Sequence, residues 1–304
     1  MASIKSIEWY KIPEGIRIRG IDRFYGPLLN RITLKKALKV ASHPELLLGL
    51  GNDKNEEIIV SLTSFPARIE YVHICLAQLF NQSLAPDRII LWLAEPQFPD
   101  KHLPDNLKPY IDNGLEVRFC PLDLKGHKKY FYAMQENPDS VVITFDDDLI
   151  YHEDCVKELY ESYKRYPDCV SCLRSQEISF DKDGNVSPYH TWRTLSDNSK
   201  PSLVFMPSTG AGTLYPPHLL SKHTFDADLL SSICLTADDL WMKTMSLLEG
   251  VKVARVEKYH RPLTTIDGSQ DVTLADENIF NSKNDECVRN LVKQYPAAFE
   301  KLKA

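Results

Sequence analysis

The chain has 304 residues, of which 43% are hydrophobic, so it can bury a sizeable core as one large domain or as one domain with a smaller lobe. Its formal net charge is -6, from 36 Lys and Arg against 42 Asp and Glu, without long runs of one sign. This balance argues against general binding to a phosphate backbone, and we expect no nucleic acid partner.

The seven cysteines are scattered through apolar segments, and their odd number is typical of reduced thiols in a cytosolic protein. Cys169 and Cys172 have the spacing of a zinc-ligand pair, but no second pair accompanies them and the stretch around them is typical of a strand. The N-terminal residues lack an apolar signal core, and no window approaches ~20 uninterrupted apolar residues. These features predict a cytoplasmic protein, with at most peripheral contact at the inner face of a membrane.

Residues 1–56 are predicted to be an N-terminal extension that ends in a polar stretch. Within it, residues 34–50 mix three lysines with several leucines. This segment fits a helix that rests on a membrane surface, or a helix that packs on its own domain and is broken near Pro44.

Short apolar runs of strand length then alternate with helical patterns. The runs lie at 58–63, 89–93, 115–119 and 141–145, and the helical patterns at 69–80, 130–134 and 156–163. Strands that are buried on both faces and separated by helices predict an α/β fold with a layered sheet.

The pattern changes after about residue 174, where turns, aromatic-rich loops and the glycine-containing segment 208–213 dominate. A helix with apolar positions at 240, 241, 247 and 248 follows, with Thr236 as a possible cap and Gly250 as its terminator. Val251, Val253 and Val256 then lead to His260.

Three consecutive carboxylates, Asp146, Asp147 and Asp148, directly follow the apolar run at 141–145. Two unit charges ~5 Å apart repel by roughly 3 kcal/mol at an effective dielectric of about 20, so a cation should offset them. Ligands gather at the carboxyl ends of strands in open α/β sheets, and oxygen ligands favour Mg²⁺ or Mn²⁺. Two alternatives stay open: the triplet caps the helix that starts near Glu153, or Lys125 or Arg174 neutralises it.

The order of apolar strand, Asp-x-Asp and helix resembles the nucleotide-sugar glycosyltransferases of the GT-A type. The loop Thr63–Arg68 after the first strand and the acidic pair Asp238 and Asp239 at a helix start share in this resemblance. The segment Lys125–Phe131 is similar to family 2-like glycosyltransferases of bacterial capsule and lipopolysaccharide gene clusters. The resemblance covers roughly residues 57–260.

This resemblance implies a GT-A-like (Rossmann-like) central sheet, mixed but mostly parallel and flanked by helices. Residues 57–215 would form the half that binds the nucleotide sugar. Residues 216–304 would form a loop-rich, acceptor-side half with the C-terminal helices.

The resemblance also implies a divalent cofactor, Mn²⁺ or Mg²⁺. Asp148 would bind the metal, and Asp146 would reach the ribose or a metal-bound water. Because three Asp are consecutive, the register stays open and Asp147 remains a candidate. His260 matches the position of a third metal ligand in some of these enzymes, although a structural histidine is the alternative.

Six further residues are candidates for binding the donor: Thr63, Ser64, Arg68, Lys128, Gly210 and Gly212. The hydroxyls resemble a nucleotide-contacting loop, the cations could hold phosphate, and the glycines would let the backbone approach the sugar closely. Solvated surface charges and a simple tight turn are the alternatives.

The resemblance assigns the catalytic base to an acidic residue at a helix N-terminus, for which Asp239 is the first candidate and Asp238 the second. A helix cap is the alternative, because Thr236 and Asp239 have capping-box spacing. A one-step displacement at this base would invert the anomeric centre.

The implied activity moves a sugar from a nucleoside-diphosphate sugar, with UDP favoured, to a hydroxyl of a glycan or lipid-linked acceptor in surface polysaccharide synthesis. A sugar nucleotidyltransferase would share the metal and the sheet, but it usually has a glycine-rich basic loop after its first strand. A glycoside hydrolase needs two separated carboxylates. A carbohydrate-binding protein on the same fold would not need both acidic clusters.

Overall fold

The structure, a computed structural model, describes residues 22–194, 200–256, 264–269 and 283–303, with side chains from residue 28 onward. The strands are β1 (Ile58–Thr63), β2 (Arg88–Ala94), β3 (Leu115–Cys120), β4 (Val141–Thr144), β5 (Leu149–Ile150), β6 (Cys169–Cys172), β7 (Ser175–Glu177), β8 (Arg193–Thr194), β9 (Phe205–Pro207), β10 (Thr213–Tyr215), β11 (Lys252–Arg255) and β12 (Thr264–Thr265). The helices are α1 (Asp22–Ala41), α2 (Val72–Leu79), α3 (Lys108–Asp112), α4 (Lys128–Glu136), α5 (Cys155–Arg165), α6 (Ala227–Ile233), α7 (Asp238–Leu248), α8 (Lys283–Gln294) and α9 (Pro296–Glu300).

Seven strands form the central sheet, in the order β11-β6-β10-β4-β1-β2-β3. Strands β3, β2, β1 and β4 pair in parallel, β6 pairs in parallel with β11, and β10 runs antiparallel to both β4 and β6. The prediction of a mixed, mostly parallel sheet flanked by helices is confirmed.

The central strands are apolar along their whole length because helices cover both faces of the sheet. In β1, Ile58, Val60 and Leu62 point into the same cluster as the buried residues of α1, α2 and α5. Ile59 points the other way, into a smaller cluster with Ala133 of α4. Alternate residues of one strand thus serve two layers.

The chain reverses its direction across the sheet at β1. The path from β1 through β2 to β3 leads outward on one side, and the chain then crosses back to place β4 on the other side of β1. In sheets of this kind such a reversal leaves room for a ligand at the carboxyl ends of the two strands. Ser64 follows β1 at this edge, and the aspartate triplet follows β4.

The second half is built from shorter pieces. Strands β8, β7 and β9 form a small sheet, and β12 pairs with β5. Helix α7 packs its buried residues, among them Trp241 and Met245, into a second core that includes residues of α8 and α9. Gly250, at φ +72°, follows α7 as predicted for its terminator.

Helix α1 belongs partly to the main core, since Ala37 and Val40 are buried in it. The helix starts well before residue 34 and ends at Ala41, ahead of Pro44. The domain boundaries after residues 56 and 215 stay predictions. In the parts of the chain that are described, no helix combines the length and the apolar character needed to cross a membrane.

All seven cysteines are buried and free of disulfides. Cys169 and Cys172 are the two ends of β6, so the prediction of a strand is confirmed.

Candidate active site

Two loops meet at the carboxyl ends of β1 and β4. The strands are paired side by side, from Ile58 opposite Val141 to Ser61 opposite Thr144. The residues that follow them, Ser64 on one loop and Asp147 on the other, therefore come into direct contact.

Asp147 is the buried member of the triplet, with 5% of its side chain exposed. Ser64 Oγ donates to its Oδ2 at 2.6 Å, and Arg68 Nη1 donates to its Oδ1 at 3.0 Å. Burial raises the pKa of Asp147 to about 6, although Arg68 opposes this shift. Asp147 thus ties the β1 loop to the β4 loop and is poorly placed to meet a ligand.

Arg68 connects three parts of the site. Its Nη1 lies 2.9 Å from Asp148 Oδ2, in addition to its contact with Asp147. Its Nε donates to the backbone oxygen of Ser269 at 2.9 Å. The guanidinium is therefore an internal counter-charge of the triplet.

Lys129 is the second internal counter-charge, and it was not among the sequence candidates. Its Nζ lies 2.6 Å from Asp146 Oδ1 and 2.8 Å from Asp238 Oδ2, and only 2% of its side chain is exposed. Burial alone would lower the pKa of Lys129, but the charges of Asp146 and Asp238 raise it well above its usual value. Lys129 thus joins the triplet to the acidic pair on α7.

Lys128, the sequence candidate for this charge, lies elsewhere. Its Nζ pairs with Asp123 at 2.7 Å, and Lys125 pairs with the same carboxylate at 2.8 Å. The sequence shows two adjacent lysines, and only the helical register of α4 decides which one faces the acids. One alternative from the sequence was that Lys125 neutralises the triplet. This alternative is wrong, because Lys125 pairs with Asp123.

The acidic pair on α7 is held by Thr209. Asp239 Oδ1 accepts a hydrogen bond from the Thr209 backbone N–H at 2.8 Å, and the Thr209 hydroxyl contacts both carboxylates. The residue before α7 is Ala237, which makes no side-chain cap, so the capping-box interpretation with Thr236 is wrong. The two aspartates lie in the first turn of α7 and contact Thr209 of the loop 208–212.

The two carboxyls of this pair have opposite pKa shifts. Burial and the neighbouring charge of Asp238 raise the pKa of Asp239 to about 7. Burial acts on Asp238 too, but the ammonium of Lys129 outweighs it and lowers the pKa of Asp238 to about 2. Such a divergence separates a group that can exchange a proton near neutral pH from one that stays ionised.

Gly210 and Gly212 shape the floor of the site. A Cβ on Gly210 would lie 1.6 Å from Asp146 Oδ2, so the carboxylate occupies the space that a side chain would need. Gly210 also accepts hydrogen bonds on its carbonyl oxygen from the Asp146 N–H at 3.1 Å and from the Tyr151 hydroxyl. Gly212 has a φ of +108°, and a Cβ there would lie 2.7 Å from Leu173 Cδ1. Both glycines are required by close approach, beyond the needs of a turn.

Two members of the triplet carry oxygen ligands of the kind that a hard divalent cation takes. Asp146 has 41% of its side chain exposed and pairs with Lys129, and Asp148 has 13% exposed and pairs with Arg68. Carboxylate oxygens suit Mg²⁺ and Mn²⁺, which take their other ligands from phosphate and water. His260 lies outside the described residues.

The alternative in which the triplet caps a helix is wrong. Strand β5 and a turn separate Asp148 from α5, and the residue that precedes α5 is Asp154. The hydroxyl of Thr63 donates to the Trp92 backbone oxygen on β2 at 2.7 Å, and its role in binding the donor stays a prediction.

Two other histidines have local partners. His127 is buried with its ring nitrogens 2.7 Å from the Tyr130 hydroxyl and 2.9 Å from the Cys234 backbone oxygen. Among the described residues, His152, Glu153 and Asp154 form the one group of three whose potential ligand atoms lie within 4.8 Å of one another. Their loop leads from β5 into α5.

No protein-family model and no curated protein matches this chain. Among solved structures, it is similar to two crystal structures of S. aureus TarS residues 1–349, one of which is in complex with UDP. Each match has 12% identity and a TM-score of 0.39. Each of these matches covers 68% of this chain and 59% of the TarS chain, so the chain spans less than two thirds of the TarS length. It is also similar to a 4-diphosphocytidyl-2C-methyl-D-erythritol synthase from Anaerococcus prevotii, at 14% identity and a TM-score of 0.43, over 71% of this chain and 96% of that one.

Proposed function

We propose that this chain is a metal-dependent glycosyltransferase that moves a sugar from a nucleoside-diphosphate sugar, UDP-linked, to a hydroxyl of a glycan or lipid-linked acceptor. The observation that carries this proposal is the connection of two acidic groups at one edge of the sheet. Lys129 joins the triplet after β4 to the pair at the start of α7. The sequence resemblance of residues 125–131 adds surface polysaccharide synthesis as the setting.

The donor would bind in the crevice between the β1 and β4 loops. Asp146 and Asp148 would hold Mn²⁺ or Mg²⁺, because their side chains are the accessible ones of the triplet. When bound, the ion would neutralise charge on the departing diphosphate. Asp147 would act as the anchor that keeps the two loops at a fixed spacing.

Asp239 would be the catalytic base. Thr209 holds its Oδ1, and no described residue hydrogen-bonds to its Oδ2. Its pKa, raised to about 7 by burial and by Asp238, lets it take the proton of an acceptor hydroxyl at neutral pH. The acceptor oxygen would bond to the anomeric carbon as the bond to the diphosphate oxygen breaks, with inversion. The nucleoside diphosphate leaves, and Asp239 keeps the proton.

The test is a donor screen with UDP-, GDP- and CDP-linked sugars, with Mn²⁺ and a mixture of glycan acceptors. We expect release of nucleoside diphosphate that requires both metal and acceptor. Asp239→Asn should lower this rate by ~10²-fold or more, as expected for the loss of a general base. The matched control Asp228→Asn, at an exposed position on α6, should keep the wild-type rate.

A second measurement separates binding from chemistry. Asp148→Ala should abolish the rise in melting temperature that UDP and Mn²⁺ cause together, whereas Asp239→Asn should retain it. Release of pyrophosphate from a nucleoside triphosphate and a sugar 1-phosphate, without release of nucleoside diphosphate from the sugar nucleotides, would favour the nucleotidyltransferase. No melting shift with any nucleotide and metal would refute an enzyme of either kind.

A further inference from the structure

The outer face of α1 carries an unusual share of exposed apolar surface. On its inner face Thr33, Ala37 and Val40 are buried against the domain. On the opposite side Leu28, Ile32 and Leu38 are 54%, 39% and 44% exposed. These three make up half of the six exposed large hydrophobic residues in the described parts of the chain, so the exposure is concentrated here.

The same face is cationic. Arg31, Lys35 and Lys39 are exposed, and their spacing of three and four residues from the apolar three places all six on one side of the helix. No Asp or Glu occurs between residues 23 and 44. Residues 1–41 contain nine Lys and Arg against three Asp and Glu, in a chain whose net charge is -6. The outer face of α1 is therefore positively charged, although the whole chain has a net negative charge.

The positive charge and the exposed apolar side chains of this face indicate which kind of partner can bind it. A second copy of α1 would bring like charges together, and residues 1–21, with four Lys and Arg against two Glu, are themselves basic. An anionic bilayer complements both properties, because its phosphates attract the cations while its acyl boundary takes up the leucine and isoleucine side chains. We propose that this outer face of α1, formed by residues 28, 31, 32, 35, 38 and 39, docks on an anionic lipid bilayer.

Helix α1 is linked to the candidate active site through two short strands. Thr264 Oγ1 donates to Asn30 Oδ1 of α1 at 3.1 Å, and Thr264 lies on β12, which pairs with β5. Strand β5 begins directly after Asp148, whose backbone oxygen accepts from the Ile266 N–H at 2.9 Å. A bilayer that binds α1 would thus contact an element that β12 and β5 link to the aspartate triplet. Its use for a lipid-linked acceptor rests on the proposed function, but the docking does not.

Cosedimentation of the full chain with vesicles tests the proposal. We expect binding to vesicles of phosphatidylcholine with phosphatidylglycerol, little binding to phosphatidylcholine alone, and weaker binding at high salt. Arg31→Gln, Lys35→Gln and Lys39→Gln together should weaken partitioning about 100-fold. Leu28→Ser, Ile32→Ser and Leu38→Ser together should also weaken it, because the apolar contact is lost.

The matched control changes the net charge equally at exposed lysines elsewhere, with Lys182→Gln, Lys222→Gln and Lys252→Gln. This variant should bind anionic vesicles nearly as well as the wild type. Thermal melts would establish that every variant is folded. Nucleoside diphosphate release with a water-soluble acceptor should be unchanged in all of them, so a failure of docking is distinguishable from a failure of the proposed activity.

Two outcomes overturn the proposal. One is binding to anionic vesicles that the cationic variant of α1 leaves intact, which would assign the contact to another surface. The other is a dimer in sedimentation velocity that the Leu28, Ile32 and Leu38 substitutions dissociate, which would make a second copy the occupant.

Discussion

Replacing Lys129 by Met should destabilise the protein strongly, and increasingly so as the pH rises. Methionine keeps the length of the side chain but removes the ammonium that lies between Asp146 and Asp238. Breaking a buried ion pair from one side typically costs about 3 to 5 kcal/mol, because the remaining charge stays buried without compensation.

The part due to Asp238 can be worked out from its pKa. This carboxyl has a pKa of about 2 in the folded protein and an ordinary value of 3.8, and its side chain is only 16% exposed. At 1.36 kcal/mol per unit, the lowered pKa contributes about 2 to 3 kcal/mol of stability at neutral pH. Because the folded pKa is depressed, this contribution is present above about pH 5 and is lost as the pH falls towards 2. Asp146 adds no stability of this kind, because burial raises its pKa in spite of Lys129.

The assay is urea denaturation, followed by tryptophan fluorescence, at several pH values from about 3 to about 8. We expect Lys129→Met to lower the free energy of unfolding by about 3 to 5 kcal/mol at pH 7, with a loss about 1 kcal/mol smaller at pH 3. The matched control is Lys128→Met, at an equally buried lysine on the same helix. It should cost only about 1 kcal/mol, because Asp123 is partly exposed and retains Lys125 at 2.8 Å. Equal losses in the two variants, or a loss at Lys129 that does not change with pH, would refute the reasoning.

Three further outcomes are expected. The rate of sugar transfer should rise with pH through about 7 and then level off, since Asp239 acts in its ionised form; Asp239→Asn should remove this inflection from the pH–rate profile. Gly210→Ala should displace the Asp146 carboxylate and lower the free energy of unfolding by about 1 to 3 kcal/mol. It should also abolish the rise in melting temperature that UDP and Mn²⁺ cause together. An unchanged rise in melting temperature would contradict the close packing of Gly210 against Asp146. Lys243→Met should stabilise the protein by about 1 to 3 kcal/mol at pH 7, because the buried amine makes no hydrogen bond to any described residue. Burial lowers the pKa of Lys243 to about 7, so the folded chain releases a proton that the unfolded chain keeps, and the gain measured in urea should shrink at pH 9.

Most of the fold followed from short-range pattern. The apolar runs that became β1, β2 and β4 were recognisable because a strand buried on both faces has almost no polar positions. The helix α7 and its termination before Gly250 followed from spacing and from the backbone freedom of glycine. The extent of α1 was harder to predict, since apolar residues occur on both of its sides.

The candidate site was predictable only in part. The positions of Asp146 to Asp148 after β4, and of Asp238 and Asp239 at a helix start, were visible in the sequence. That Asp147 turns inward to Ser64 and Arg68 was not visible, because the direction of three consecutive side chains depends on the backbone of the loop. Thr209, which holds Asp239, carried no signal of its own.

The sequence by itself determined the alternation of strands and helices and the concentration of acid at one strand end, because both depend on neighbouring residues. Only the tertiary structure decided which cations pair with those carboxylates. Lys129 and Arg68 lie 17 and 79 residues from their aspartate partners Asp146 and Asp147, and Lys129 reaches Asp238 from another element altogether. Contacts across such separations arise when β1, β4, α4 and α7 pack together, and the pattern of neighbouring residues in the sequence does not predict them.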